Sequence, residues 1–552
     1  MKKNDEMILT VTAQGNDGEG IAKVDGFPIF IKDTVAGDRI LAGITKVKKS
    51  HAFARMIKLL EPSADRVEPP CPIAGRCGGC QLQAMSYEAQ LRYKEKKVYD
   101  CLRRIGGFPE EEVAQAAEPI EGMDEPLRYR NKAQYPVGRS KDGRIIAGFY
   151  ASHSHSIVEC MDCLLSPPEF SGIVEHVLKY MEENGVEPYD EVSGKGLIRH
   201  ILIRKGFGTG QIMVCLVVNG KMLPHAEKLI ELLTADGSGI NICSIVLNIN
   251  TESTNVIMGE KTVPIYGEAY IEDELCGLRF RISANAFYQV NPIQAAAIYL
   301  KAMEYAGLTG EEEVWDICSG IGTITLLLAG RARKVHGIEI VPAAVKDAIA
   351  NAKLNSIDNA EFICEDVTKY VRNITSPAEM KADAVVVDPP RKGLSPEVLD
   401  TIALIRPSRI VYVSCDPSTL ARDLKLLASH GYRLTKYKPY DQFCETGHVE
   451  TVCILSKLSS AKEHIEVTVD MDELDLTSAE AKATYKEIQG WVQEKYRFHV
   501  TNLNIAQVKQ KHGIIERENY NKPKSPNSKQ PGCPSEKVKA IEDAMRHFQM
   551  ID

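Results

Sequence analysis

Cys415 stands in the run Ser414-Cys415-Asp416-Pro417, just past an apolar stretch, SRIVYV, that reads as a strand. A cysteine inside an apolar strand is ordinary core. One that opens a polar turn at the strand end is placed where a nucleophile meets a ligand, and the chemistry it offers is covalent catalysis. C5 of uracil is a poor nucleophile. A thiolate that adds at C6 turns the ring into an enolate, which attacks an electrophilic methyl group. This requires a thiolate, hence a pKa below the free value of about 8.5. A base must then remove the C5 proton before the sulfur leaves. Glu450, in His448-Val449-Glu450-Thr451-Val452 at the start of the last apolar strand, is the candidate.

A methyl donor needs a pocket, and three loops in order supply its parts. Asp316-Ile317-Cys318-Ser319-Gly320-Ile321-Gly322 ends a strand and precedes a helix. Its glycines admit close approach of a ligand to the backbone, and the helix presents its first N–H groups. The spacing differs from the dinucleotide G-x-G-x-x-G. Glu339, at the end of the next strand, has the reach to accept hydrogen bonds from ribose hydroxyls, and Asp366, after the third, to contact an adenine edge. Read singly, each is a turn with a solvated carboxylate; in sheet order they make an S-adenosylmethionine (SAM) pocket. Asp388-Pro389-Pro390-Arg391 follows the strand ADAVVV, where prolines stiffen a loop and the arginine can grip a phosphate or a base. Ser283-Ala-Asn-Ala-Phe-Tyr-Gln289-Val-Asn291 precedes a helix, and on physics alone reads as a cap region.

Cys71, Cys77 and Cys80 lie close together around Gly78-Gly79. Three close thiols and a distant fourth can hold zinc or an iron–sulfur cluster. On spacing alone zinc is favoured slightly, with Cys163 as the fourth ligand and Cys160 as its competitor. Fifteen cysteines without an export signal fit a reducing compartment better than a disulfide framework. A cytoplasmic protein is expected, with no membrane partner, since no apolar run is long enough to span a bilayer.

The positioning elements follow from periodicity. Over residues 7–60, short alternating strands separated by Gly- and Asp-containing turns predict a small β-barrel. A proline-containing linker at 61–70 leads to the cysteines, and 86–107 has helical spacing ending in glycine. Residues 127–275 read as a strand-rich α+β region. From about 276, strands alternate with helices, which predicts a doubly wound, mostly parallel sheet with its ligands beyond the carboxyl ends of the strands. The tail reads as a helix over 477–496, a shorter helix from 504, a proline-rich loop at 521–534 and a last helix. The division is therefore 1–62, 63–275, 276–459 and 460–552, consistent with three or four domains on length. Hydrophobic residues at 44% and charged residues at 26% exclude disorder and collagen. The net charge of −8 confines any nucleic-acid footprint to local patches, such as Lys46, Lys48, Lys49, Arg55 and Lys58, or Arg128, Arg130 and Lys132.

Taken together, SANAFYQVN, DICSGIG, DPPRKGL, SCDPSTLARD and HVETV, with CPIAGRCGGCQLQ upstream, resemble the RNA uridine-C5 methyltransferase family, in particular its ribosomal RNA members. The resemblance covers residues 7–457. It implies an N-terminal RNA-binding TRAM barrel, a central domain carrying a [4Fe–4S] cluster, and a Rossmann-like SAM-dependent catalytic domain. It moves the metal reading from zinc to iron–sulfur, with Cys71, Cys77, Cys80 and Cys163 as ligands. It implies that Cys415 is the nucleophile and Glu450 the base. Gln289, Cys318, Glu339 and Asp388 fall at its SAM-contact positions, with Thr323 and Asp366 beside them. Two positions depart from the family: Cys318 replaces a usual aromatic residue, and Thr323 an asparagine found in some members. The implied partner is structured RNA, most of all large-subunit ribosomal RNA, met by a monomer. A transfer RNA uridine enzyme would share the chemistry. A cytosine-C5 enzyme would carry a second cysteine where Arg391 stands. A non-catalytic RNA-binding iron–sulfur protein would leave Cys415 and Glu450 without a task. The tail beyond 460 lies outside the resemblance.

Overall fold

Alternation builds the first six strands of the computed structural model, β1 (Glu6–Thr10), β2 (Ala13–Gln14), β3 (Gly20–Val24), β4 (Phe27–Lys32), β5 (Arg39–Val47) and β6 (Ala52–Glu61). They pair in the order β1-β5-β6-β4-β3-β2, with β4 and β6 parallel. Ile29, Ile31, Ile40, Ala42, Ile44, Ala52 and Ala54 point to one shared core. The linker that follows is tied down: Arg66 bonds the buried carboxylate of Asp38 at 2.7 Å. The structure describes residues 1–235, 239–373, 382–458, 485–512, 533–548 and 550–551. These fall in two compact units, Met1–Ser459 and Ser460–Asp552.

Ser86 caps α1 (Tyr87–Cys101) by accepting from the Ala89 N–H. The helix widens into a π turn over Leu102–Gly106 and stops at Gly107, whose φ of 74° suits glycine. Val98, Cys101 and Leu102 enter the core of the C-terminal sheet, as does α2 (Glu110–Ala116) through Val113 and Ala116.

The middle of the chain forms β7 (Lys132–Arg139), β8 (Ile145–Tyr150), β9 (Ile157–Glu159), α3 (Glu169–Glu183), β10 (Ile198–Lys205), β11 (Ile212–Val218), α4 (Ala226–Thr234), β12 (Ile242–Ile249) and β13 (Lys261–Gly267). The sheet order is β13-β12-β11-β10-β7-β8-β9. Helices α3 and α4 cover one face. A hairpin, β14 (Tyr270–Leu275) and β15 (Leu278–Ser283), packs with the other. Burial on both faces explains why β11 is apolar along its whole length. The division drawn from sequence at 275/276 falls in the turn of this hairpin, and Ile271, Leu275, Phe280 and Ile282 share a core with the C-terminal sheet.

That sheet alternates α5 (Pro292–Ala306), β16 (Glu313–Ile317), α6 (Thr323–Ala329), β17 (Lys334–Glu339), α7 (Pro342–Leu354), β18 (Ala360–Cys364), α8 (Val367–Asn373), β19 (Ala384–Val387), α9 (Pro396–Ile405), β20 (Arg409–Ser414), α10 (Pro417–Ser429), β21 (Tyr432–Tyr440) and β22 (Glu450–Lys457). Its order is β18-β17-β16-β19-β20-β22-β21. The first five strands are parallel, and β22 runs antiparallel to both neighbours. In the second unit α11 (Tyr485–Tyr496), α12 (Asn502–Lys511) and α13 (Ser535–His547) close on Ile488, Val492, Ile505, Val508, Ile541 and Met545. Residues 477–484 of the helix expected there, and the proline-rich stretch as far as 532, lie outside the described residues. Among the described residues no helix is long and apolar enough to cross a membrane.

Candidate active site

The strand order reverses between β16 and β19, so their carboxyl ends bound a crevice. Asp316 ends its strand fully buried and accepts from the Thr325 hydroxyl at 2.5 Å. Its other oxygen has no partner. Burial first, and then the carboxylates of Asp388 and Glu339, push its pKa up to about 7. Cys318 takes a left-handed φ of 68°, a conformation that is uncommon for a residue with a Cβ, and this turns the loop back over the sheet. Glu339 holds that loop by accepting from the Gly320 N–H at 3.0 Å, and it also accepts from Val341 at 2.9 Å. Thr323 opens α6 and meets the hydroxyl of Tyr299, which is buried near Asp388, Glu450 and Asp316. Tyr299 escaped the sequence reading because its spacing is that of a helical core residue.

Gln289 is buried, and its Oε1 accepts from Gln442 at 3.0 Å. Asn291, from the same motif, caps α5 through the Gln294 N–H, so the plain structural reading holds for that residue. Asp366 accepts from the Lys369 N–H at 3.1 Å at the start of α8. In this structure it serves its own helix.

Cys415 and Glu450 meet because β22 runs against β20. The register pairs Ser414 with Thr451, which sets the next residue of one strand opposite the preceding residue of the other. Glu450 is 1% exposed and its Oε1 has no hydrogen-bond partner. Burial and Asp388 raise its pKa well above the usual carboxyl range, while Arg391 opposes them. Asp388, half-buried just past β19, is itself pushed up to about 7 by burial. The Cys415 thiol is pushed up to about 12 by burial and by Glu450 and Asp388, against Arg391. The chemistry asks for a depressed thiol pKa, and of the protein groups around Cys415 Arg391 alone among the charged side chains acts in that direction.

Arg391 approaches His448 Nε2 at 3.4 Å. Burial and the nearby Arg391, Lys97 and Lys94 hold His448 down to about 4, so it is neutral at physiological pH. Arg391 is read from the sequence as a grip on a phosphate or a base, whereas His448 does not stand out there although it lies within a motif that does. The segment 441–449 that delivers Glu450 is pinned from several sides. Lys94 of α1 forms a buried ion pair with Asp441, and donates to the Phe443 carbonyl at 3.0 Å. Tyr87 donates to Asp441 at 2.9 Å and Lys97 to the Gly447 carbonyl at 2.7 Å. The cysteine loop adds the Gln81 and Leu82 N–H groups, both donating to the Glu445 carbonyl.

Cys71, Cys77, Cys80, Cys163 and Cys160 line one cavity of about 410 Å³, with Arg130, Lys132 and Arg391 also on its wall. The thiols feel one another: Cys163 contributes to raising Cys77, Cys80 and Cys160. Among the described residues, no three His, Cys, Asp or Glu side chains form a group that would hold a metal ion. A lone zinc needs each sulfur about 2.3 Å away. The thiols share a cavity without presenting that compact shell, so neither a zinc site nor a cluster is shown.

Comparison with known proteins agrees with this geometry. Residues 265–458 match the family described as tRNA (Uracil-5-)-methyltransferase, and residues 2–57 match the TRAM domain. An uncharacterised RNA methyltransferase of Halalkalibacterium halodurans is 46% identical over 460 residues, 82% of this chain and 98% of that one. One from Clostridium acetobutylicum is 44% identical over 462 residues, 83% of this chain and 98% of its own. The crystal structure of Pyrococcus abyssi tRNA (uracil-54, C5)-methyltransferase, in complex with S-adenosyl-L-homocysteine, superposes with a TM-score of 0.64 at 28% identity, covering 81% of this chain and 99% of that one. Fold and crevice define a SAM-dependent methyltransferase. The chain belongs to the RNA uracil-5-methyltransferase family.

Proposed function

We propose that the protein methylates C5 of a particular uridine in structured RNA, with large-subunit ribosomal RNA as the first substrate to test. The observation that carries the reading is the meeting of Cys415 and Glu450 across β20 and β22, beside the crevice at the carboxyl ends of β16 and β19. The cysteine-rich segment and the TRAM domain favour the ribosomal members that the sequence resembles. The Pyrococcus relative, named for a transfer RNA uridine, supports transfer RNA as the second reading.

SAM, when bound, supplies a methyl group on a positively charged sulfonium. The fully buried Asp316, raised by burial and by the neighbouring carboxylates of Asp388 and Glu339, suits a cationic ligand. Cys415 Sγ, its proton released to solvent, bonds C6 of the uracil as thiolate, and the displaced π electrons make C5 the nucleophile that accepts the methyl group as the methyl's bond to the sulfonium sulfur breaks, leaving a neutral thioether. Glu450, as carboxylate, then takes the C5 proton. The electron pair of that C–H bond restores the C5–C6 double bond and expels the Cys415 thiolate. Arg391 and the cofactor's positive charge both act to lower the Cys415 and Glu450 pKa values, so ionisation is tied to assembly of the complex. The target base must leave its stack to reach a half-buried sulfur.

Cys71, Cys77, Cys80 and Cys163 would hold a [4Fe–4S] cluster, which is anchored by four thiolates and is larger than a lone ion. Arg130 and Lys132 on the cavity wall offer cations to an anionic group. Its part would be to fasten the loop that bonds Glu445, five residues ahead of the base. The experiment is to supply labelled SAM and total RNA from a strain lacking the gene, then map the labelled nucleotide. 5-Methyluridine at one ribosomal position is the expected result; label in transfer RNA would select the second reading, and label on cytidine or none would overturn both.

A further inference from the structure

The outer face of the N-terminal barrel carries residues that its core does not explain. Ile29 and Ile31 of β4, and Ala52 and Ala54 of β6, point inward. The alternate positions therefore point outward: Phe30 and Lys32 on β4, Phe53 and Arg55 on β6. The parallel register pairs Phe30 with Phe53 and Lys32 with Arg55. An aromatic rung and a cationic rung thus lie two residues apart along the strands, roughly 6.6 Å. His51 stands edge-on to both rings, at 5.5 Å from Phe30 and 5.1 Å from Phe53, and the two phenyl rings are 5.9 Å apart. Lys48 lies 5.5 Å from the Phe53 ring centre. Phe53 remains 37% exposed.

This face is one wall of a groove of about 1050 Å³. Tyr150, His155, Gly78-Gly79 and His448 also line it. His448 lies two residues before Glu450 and beside Arg391, so the groove opens next to the reacting groups. Asp17, Glu19 and Asp33 line it too. A duplex backbone, which needs a continuous cationic track, is poorly served by that mixture. An unpaired strand is well served: bases stack on aromatic faces whatever their identity, and a few cations suffice for the phosphates.

We infer that this groove binds an unpaired stretch of the substrate RNA flanking the target uridine, with a base stacked on the Phe30–Phe53 pair and a phosphate met by Lys32. The inference rests on the proposed function and adds the form of RNA taken and the residues that take it. The test uses the full-length protein and a fluorescein-labelled 12-nucleotide oligouridine, with a 12-base-pair RNA duplex as control. Phe53→Leu keeps an apolar side chain at an exposed site but removes the stacking face; Phe53→Tyr keeps the face. Phe53→Leu is expected to bind the single strand about five- to a hundredfold more weakly, with SAM affinity unchanged, and Phe53→Tyr to bind like the parent. With the methylated RNA, Phe53→Leu should raise KM and leave kcat. Equal binding by Phe53→Leu, no binding by the parent, or a parental preference for the duplex would overturn the inference. A parent that labels RNA while Phe53→Leu matches it in every assay would sink the groove alone. A parent that labels no RNA while Phe53→Leu loses the single strand would sink the function alone.

Discussion

Glu450 has a buried carboxyl oxygen without a partner, an arrangement that costs about 1–3 kcal/mol unless the group has another use. The use proposed for it is removal of the C5 proton. Glu450→Gln is expected to lower kcat by about 10²–10⁴, and labelled methyl should accumulate in a protein–RNA adduct that survives denaturing electrophoresis. Unchanged turnover, or no adduct, would assign the proton to another base. The acids at the crevice make a second prediction. Asp316 and Asp388 are both pushed up to about 7, so their charge appears as pH rises through neutrality. A sulfonium gains from that charge, whereas the neutral sulfur of S-adenosylhomocysteine does not. The preference for SAM over S-adenosylhomocysteine should therefore grow between about pH 6 and pH 8, and Asp388→Asn should flatten it. Calorimetric titration at several pH values checks this, and a ratio independent of pH would contradict it.

At the scale of elements, α1 fixes the segment that leads to Glu450. Its Lys94 is fully buried against Asp441, and a buried pair broken by loss of one partner costs about 3–5 kcal/mol. Lys94→Met should lose that much in chemical denaturation, whereas Lys94→Met with Asp441→Leu should recover most of it. A single variant as stable as the parent would show that the pair holds nothing in place. The alternating strands and helices from 313 onward were legible in the sequence, because strands buried on both faces are nearly all apolar. So were the DICSGIG, DPPR and SCDP turns, since glycine, proline and polar residues interrupt those runs. The direction of β22 was not legible, because a one-dimensional pattern carries no pairing partner, and it is this reversal that brings Glu450 to Cys415. The thiol's raised pKa was hidden for a related reason: Asp388 and Glu450 are distant in sequence and adjacent only in the fold. Lys94 gave no signal in the sequence, because its buried partner Asp441 lies far along the chain.

At the scale of the whole molecule, the net charge of −8 keeps RNA binding local, in keeping with a groove that mixes acids, aromatics and a few cations. The second unit has an apolar core drawn from its own helices. A chain ending at Ser459 is expected to fold, to bind SAM like the full chain, and to transfer methyl groups; loss of SAM binding on truncation would show that the first unit depends on the second. All of this rests on covalent attack by one sulfur. RNA in which the target uridine is replaced by 5-fluorouridine cannot release fluorine as it would a proton, so the adduct should persist after methyl transfer. Mass spectrometry of the digested complex should place a methylated fluorouridine on the peptide containing Cys415. An adduct on any other cysteine, or free methylated RNA with no adduct, would contradict the mechanism.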